Sequence, residues 1–243
     1  LNSIHTPFKL SFIRYLSHKI NDNQTSDPSY YMKEKLPSQI FGHGTSHLSV
    51  FDAFGNAVAL TSSINTQLGS YIMSSSTGVL FNNHMADFNL RDNKKYKLFE
   101  IADNEIEPNS EPFSSMCPIV IIDKTGNVKM VSGASGGPLI PTTISQILIN
   151  RFWLKMGYDE SIRQGRIHHQ LIPNKIQYEA HLPPPHYLEE YLKSKGHLSS
   201  RIYRCRRSAS NSIFVGYKDK RYSNDRSIVA VADGRKRGGV AGY

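Results

Sequence analysis

The chain has 243 residues, 39% of them hydrophobic and 20% charged, and a formal net charge of +9. That is enough for one domain of ordinary size or two small ones, too apolar for a disordered chain and without the Gly/Pro bias of low-complexity sequence. Its longest strongly apolar run, Pro118 to Ile122, falls far short of the roughly 20 residues that a membrane-spanning helix needs. The chain opens on Leu1 rather than Met and shows no basic-then-apolar leader, as a fragment would, and a targeting segment upstream would then be out of sight.

Two cysteines, Cys117 and Cys205, exclude a disulfide framework and a multi-cysteine zinc site, leaving either one bridge or two free thiols. Much of the positive charge gathers late in the chain, in Arg201, Arg204, Arg206 and Arg207, in Lys218, Lys220 and Arg221, and in Arg235, Lys236 and Arg237. No nucleic-acid-binding motif accompanies it, so it reads as a solvated basic face rather than a nucleic-acid site.

In chain order, Leu10, Phe12, Ile13, Tyr15, Leu16 and Ile20 give a loose helical stripe. Asp22 to Pro28 is a polar breaker containing the sequon Asn23-Gln24-Thr25, and a loop-like stretch leads to Gly42-His43-Gly44. Thr45 to Asp52 alternates, with His47 and Ser49 on one face and Leu48 and Val50 on the other. Phe54-Gly55-Asn56 turns the chain into a second strand, Ala57 to Thr61. Pro118–Ile122 and Val128–Val131 form another pair, and their continuous apolar character predicts burial on both faces. Gly133 to Gly137 interrupts, and a helix follows with Pro141 in its first turn and Ile144, Ile147, Leu148 and Phe152 on one side. Ser161–Arg166 and Tyr187–Lys195 are further helices, the second stopped by Gly196. Ile213–Tyr217 and Ser227–Ala232 close the chain as strands. The pattern predicts layered α/β packing with a largely antiparallel sheet.

The chemistry is concentrated at Gly42-His43-Gly44-Thr45-Ser46-His47. Glycines before a hydroxyl at the head of a strand give close backbone access to it, and a threonine that becomes a new N-terminus can be a nucleophile with its own amine as base. On spacing alone, a threonine there is far more often a β-propensity choice. Further blocks follow in order: Thr61-Ser62-Ser63-Ile64-Asn65, Gly78 to Asn83, Ser114-Ser115-Met116-Cys117-Pro118, Gly133 to Gly137, Arg166-Ile167-His168 with Gln170 to Asn174, and Ala241-Gly242-Tyr243. Together they resemble the γ-glutamyltranspeptidases (glutathione hydrolases), of the N-terminal-nucleophile hydrolase group.

The resemblance implies an αββα sandwich, two mostly antiparallel sheets between helical layers. It implies that residues 1–44 are the tail of a large subunit and residues 45–243 the small catalytic subunit, with the rest of the large subunit outside this chain. The chain would cleave itself between Gly44 and Thr45. Thr45 would then attack the γ-glutamyl amide of glutathione and pass the acyl group to water or to an acceptor amino acid or dipeptide. Gly136 and Gly137 would supply oxyanion-hole N–H groups, and Asn65, Asp87, Ser114 and Ser115 would hold the glutamyl group, with no metal and no cofactor. Partners would be glutathione, acceptors and the large subunit, at the cell surface or outside the cell. His168-His169, an adjacent pair whose side chains diverge in regular structure, does not suggest a metal site.

The sequence departs from that family pattern at four points. Ser63 stands in place of a threonine whose hydroxyl bonds the nucleophile, keeping the hydroxyl and losing the methyl that restricts its rotamers. His84 stands where Glu or Gln meets the substrate amine; a neutral imidazole can accept a hydrogen bond there, whereas an imidazolium repels an ammonium. Pro138 removes a backbone donor after the glycine pair. No position matches the large subunit's carboxylate-binding Arg. These departures keep open a second reading, a weakened or inactive light-chain-like protein that acts by interaction.

Overall fold

The computed structural model describes residues 10–31, 44–88, 104–202, 208–217 and 226–242. Two short helices come first, α1 (Leu10–Lys19) and α2 (Pro28–Tyr31), followed by the hairpin β1 (Thr45–Phe51) and β2 (Ala57–Ser63). Then come β3 (Ile119–Ile122), β4 (Val128–Ser135), α3 (Leu139–Leu148), α4 (Tyr158–Arg163), β5 (Ile167–His168), β6 (Ile176–Glu179), α5 (His186–Ser194), β7 (Ser199–Ile202), β8 (Ala209–Tyr217) and β9 (Arg226–Ala232).

The hairpin is set by its turn. Asp52 Oδ1 accepts from the N–H groups of Phe54 and Asn56 at 2.9 and 2.8 Å, and Gly55 takes φ +92°, a conformation that costs glycine little. The resulting register runs from Phe51 opposite Ala57 to Thr45 opposite Ser63. The central sheet has the order β3-β4-β8-β9, antiparallel throughout. One face meets α3 and α4 through Met130, Ile147, Ile162, Phe214 and Val231, each such side chain contributing about 1.5–3 kcal/mol by its burial. The other face meets the hairpin, where Val131 and Val215 pack on Phe51, Ala57 and Ala59. A small third sheet, β5-β6-β7, contains the chain's parallel pairing among the described residues, β6 with β7, joined through α5.

The hairpin is amphipathic in the inverted sense. Its inward face carries the buried Thr45 and His47. Its outward face carries Leu48, Val50, Val58 and Leu60, between 42% and 55% exposed. The described residues supply a helical layer on one side of the central sheet and none over this outer face.

Three expectations change. Strand β3 is not buried on both faces: Val120 and Ile122 are exposed because β3 is an edge strand. The glycine-rich stretch does not interrupt at Gly133, since β4 continues to Ser135 and only Gly136 and Gly137 leave the strand. The helix expected over 161–166 is α4, starting at Tyr158, because the Glu160 carboxylate accepts from the Gly157 N–H and anchors the first turn. The stop at Gly196 is as expected, with φ +89°.

Candidate active site

Strand pairing continues one residue beyond the head of β1. The Gly44 N–H donates to the Asn65 carbonyl at 3.0 Å, and the Ile64 N–H donates to the Gly44 carbonyl at 2.8 Å. A Cβ on Gly44 would lie 2.3 Å from the Thr66 carbonyl oxygen, so only glycine fits before Thr45. Register then places Thr45 against Ser63, and their hydroxyl oxygens are 3.0 Å apart. Thr45 is buried, and neither hydroxyl of the pair is a base.

Ser63 ties the nucleophile candidate to a polar cluster. Its Oγ accepts from the Asn65 N–H at 2.9 Å, and Asn65 adopts φ +69°, which asparagine tolerates better than most residues. The Asn65 side-chain amide donates to Asp87 Oδ1 at 3.0 Å. Asp87 Oδ2 is 2.9 Å from His84 Nδ1, and His84 Nε2 is 3.2 Å from the Ser63 carbonyl. The single 3-10 turn His84–Asp87 brings both side chains to the same side. The loop Ser63–Asn65–Asp87–His84 therefore closes on itself next to Thr45.

The glycine pair reaches this place through the packing of β1 on β4. Ser49 Oγ donates to the Val131 carbonyl at 3.3 Å, and the His47 ring lies where a Cβ on Gly133 would meet it at 2.3 Å. The same two-residue step puts Thr45 opposite Ser135, immediately before Gly136-Gly137. These glycines take φ +135° and +58°, and their carbonyls accept from the first N–H groups of α3, Leu139 at 3.4 Å and Ile140 at 3.0 Å. Among the described residues their own N–H groups meet no acceptor. Ser135 Oγ is held by Lys236 Nζ at 2.7 Å, and burial pushes that ammonium's pKa down.

His47 is the site-region residue to which sequence reading gave no role. Its Nδ1 and Nε2 lie 2.8 and 3.0 Å from the hydroxyls of Thr61 and Ser49, and burial pushes its pKa down to about 4, so it is neutral. It spaces the two sheets behind Thr45. The signal for it was Gly133, a glycine inside a strand facing a ring from the opposite sheet.

The other expected residues are placed as follows. Ser114 Oγ accepts from the Met116 N–H at 3.2 Å in the loop before β3, and Ser115 lies beside it. Cys117 is a free, half-buried thiol that packs on Ala134, Ile140 and Ile144. Gly42, His43, Cys205 and Tyr243 lie outside the described residues. His168 and His169 diverge, the first bonded to Thr142 and Gln170 and the second set edge-on to His197. No group of three His, Cys, Asp or Glu side chains suited to a metal occurs among the described residues.

The solvated basic face needs correction at its end. Arg235 is buried, with its guanidinium bidentate on Glu179 at 2.6 and 2.6 Å and 3.2 Å from Asp233. Arg166 meets the other Asp233 oxygen at 2.5 Å. Burial pushes the Asp233 carboxyl up, but the two guanidinium groups and the N–H groups of Arg235 and Ser210 outweigh it and hold it below the usual range. Lys236 is half-buried and Arg237 exposed; the side chains of the other seven basic residues lie outside the described ones.

Comparison with known proteins identifies the family and the fold. The family described as Gamma-glutamyltranspeptidase matches residues 4–243. Glutathione hydrolase 2 of Arabidopsis thaliana is 37% identical over 96% of this chain, which spans 41% of that relative's length. Putative inactive glutathione hydrolase 4 of the same plant is 43% identical over 70% of this chain and 88% of its own. A crystal structure of a Helicobacter pylori γ-glutamyltranspeptidase mutant superposes with a TM-score of 0.71 at 30% identity, over 79% of this chain and all of that one. The fold is that of the N-terminal-nucleophile γ-glutamyltranspeptidases, and the chain belongs to the γ-glutamyltranspeptidase family.

Proposed function

We propose that this chain is the catalytic part of a γ-glutamyl transferase and glutathione hydrolase, with Thr45 as nucleophile. The observation that carries the reading is the Thr45–Ser63 hydroxyl contact of 3.0 Å at the strand head that follows Gly44. In the first step Thr45 Oγ1 attacks the Gly44 carbonyl carbon, the C–N bond breaks, and an ester replaces the amide. The Ile64 N–H at 2.8 Å is a donor for the oxygen that gains charge. Water then splits the ester, leaving a carboxylate on Gly44 and a free amine on Thr45. That amine supplies the base which the hydroxyl pair lacks. Residues 1–44 become the end of the large subunit and residues 45–243 the small one.

In turnover, Thr45 attacks the γ-glutamyl amide of glutathione and releases cysteinylglycine. The acyl group passes to water or to the amine of an amino acid or dipeptide. The free N–H groups of Gly136 and Gly137 receive the oxyanion, and the Lys236–Ser135 contact holds their turn. Asn65, His84, Asp87, Ser114 and Ser115 orient the glutamyl group. A large subunit covers the exposed apolar face of β1–β2, and the assembled enzyme works at the cell surface or outside the cell. Among the described residues no helix is long and apolar enough to cross a membrane.

The test is release of p-nitroaniline from γ-glutamyl-p-nitroanilide by this chain, alone and with a large subunit, beside the Thr45→Ala variant. Wild type turns over and Thr45→Ala loses at least about a thousandfold. The similarity to a putative inactive relative supports a second reading, a light-chain-like protein without activity. An intact chain and no turnover after incubation with a large subunit would favour it.

A further inference from the structure

The turn between α1 and α2 carries the one sequon of the chain, Asn23-Gln24-Thr25, which the acyl-transfer chemistry does not use. After α1 ends at Lys19, the Asn21 side-chain oxygen accepts from the Asn23 N–H at 2.8 Å, an Asx turn that fixes the backbone at Asn23. Two residues later the turn is pinned to the end of α5. The Thr25 N–H donates to the Lys195 carbonyl at 2.7 Å, and the Thr25 methyl lies 3.2 Å from where a Cβ on Gly196 would sit. Asn21 to Gln24 are all exposed, and among the described residues the Asn23 side-chain amide makes no hydrogen bond. A bulky, hydrophilic group on that amide displaces no contact of this chain.

We propose that Asn23 is an N-glycosylation site, and that the α1–α2 turn is outer surface of the assembled protein, left uncovered by the large subunit. The proposal rests on the reading that the protein works at the cell surface or outside the cell, the setting in which a sequon is used. In the transfer, Asn23 Nδ2 gives up one proton and bonds the anomeric carbon of an oligosaccharide delivered on a polyprenyl diphosphate. The diphosphate leaves with the electrons of the bond that breaks. Residues 45–243 contain no Asn-x-Ser/Thr. Cleavage between Gly44 and Thr45 therefore leaves the sugar on the large-subunit side and the small subunit bare.

The experiment is peptide mass mapping of the full protein purified from the cells that make it, before and after peptide-N-glycosidase F in heavy-oxygen water. Trypsin releases residues 20–33, cut after Lys19 and Lys33, with the sequon inside. The expected peptide carries the mass of an oligosaccharide before the glycosidase and loses it afterwards, with Asn23 converted to aspartate and one heavy oxygen taken up. Asn23→Gln and Thr25→Ala abolish the modification, and Thr25→Ser keeps it. An unmodified peptide from protein recovered at the cell surface or in the medium overturns this inference and leaves the reading of location standing. An unmodified peptide from protein confined to the cytosol overturns both.

Discussion

Two polar clusters of this molecule invite comparison. At the end of β9, Arg166, Glu179, Asp233 and Arg235 lock together through ion pairs of 2.5, 2.6 and 3.2 Å, in side chains no more than 12% exposed. At the head of β1, Thr45, Ser63, Asn65, His84 and Asp87 are joined by contacts of 2.9 to 3.2 Å that are mostly uncharged, and the His84 and Asp87 side chains are 27% exposed. The first cluster has the residue types that look catalytic, yet each of its charges is spent on another. The second offers a hydroxyl whose partner is another hydroxyl, beside unsatisfied backbone donors. Closed charge networks hold a fold, whereas a site must leave bonding capacity unused. The two are joined through Lys236, which follows Arg235 in the chain and reaches Ser135 beside the glycine turn.

The contrast is open to attack at both ends. Asp233→Ala leaves the buried Arg166 guanidinium without its carboxylate partner and takes one of two from Arg235, which keeps Glu179. The expected loss is about 3–5 kcal/mol, read as a fall of the thermal midpoint on the order of 10 °C. An unchanged midpoint would mean that the network is not structural. Ser63→Ala should do the opposite, leaving the midpoint nearly unmoved and slowing turnover by roughly ten- to a hundredfold through misplacement of Thr45. Ser63→Thr should raise turnover a few-fold, since the added methyl narrows the hydroxyl's rotamers. Equal effects of both Ser63 variants on melting and on rate would erase the distinction between the clusters.

Between the two lies the packing of His47 on Gly133. Gly133→Ala drives a methyl into the imidazole and should cost about 1–3 kcal/mol, measured by denaturant unfolding at neutral pH. His47 also carries a pH signature. Its folded pKa of about 4 lies below the unfolded value near 6.5. The unfolded chain thus binds more protons between those values, so stability is complete above pH 6.5 and falls as pH drops toward 4. The loss is about 2 kcal/mol after allowance for solvent screening, and His47→Gln should remove that part of the pH dependence. A wild-type unfolding midpoint flat across this window would contradict the buried neutral imidazole.

The sequence made some of this legible and hid the rest for physical reasons. The hairpin was readable because strict alternation and an Asp-x-Phe-Gly-Asn turn are local signals. So was the end of α5, because Gly196 must take a positive φ. The Thr45–Ser63 contact followed from family resemblance and from a register that a two-residue period fixes. The role of Gly133 was not readable, since its cause is a ring from a strand over 80 positions earlier. The exposure of Val120 and Ile122 was not readable either, because apolar runs do not say which strand lies at a sheet edge. Arg235 looked like part of a basic run, and only the fold brings Glu179 and Asp233 to it.

The central claim is that Thr45 becomes a free N-terminal nucleophile, and mass spectrometry of the purified chain with its large subunit tests it most directly. The account predicts a species whose first residue is Thr45, absent from Thr45→Ala, and a γ-glutamyl adduct on Thr45 when the donor is trapped at low pH. A chain that stays joined between Gly44 and Thr45, or an adduct on any other residue, would contradict it.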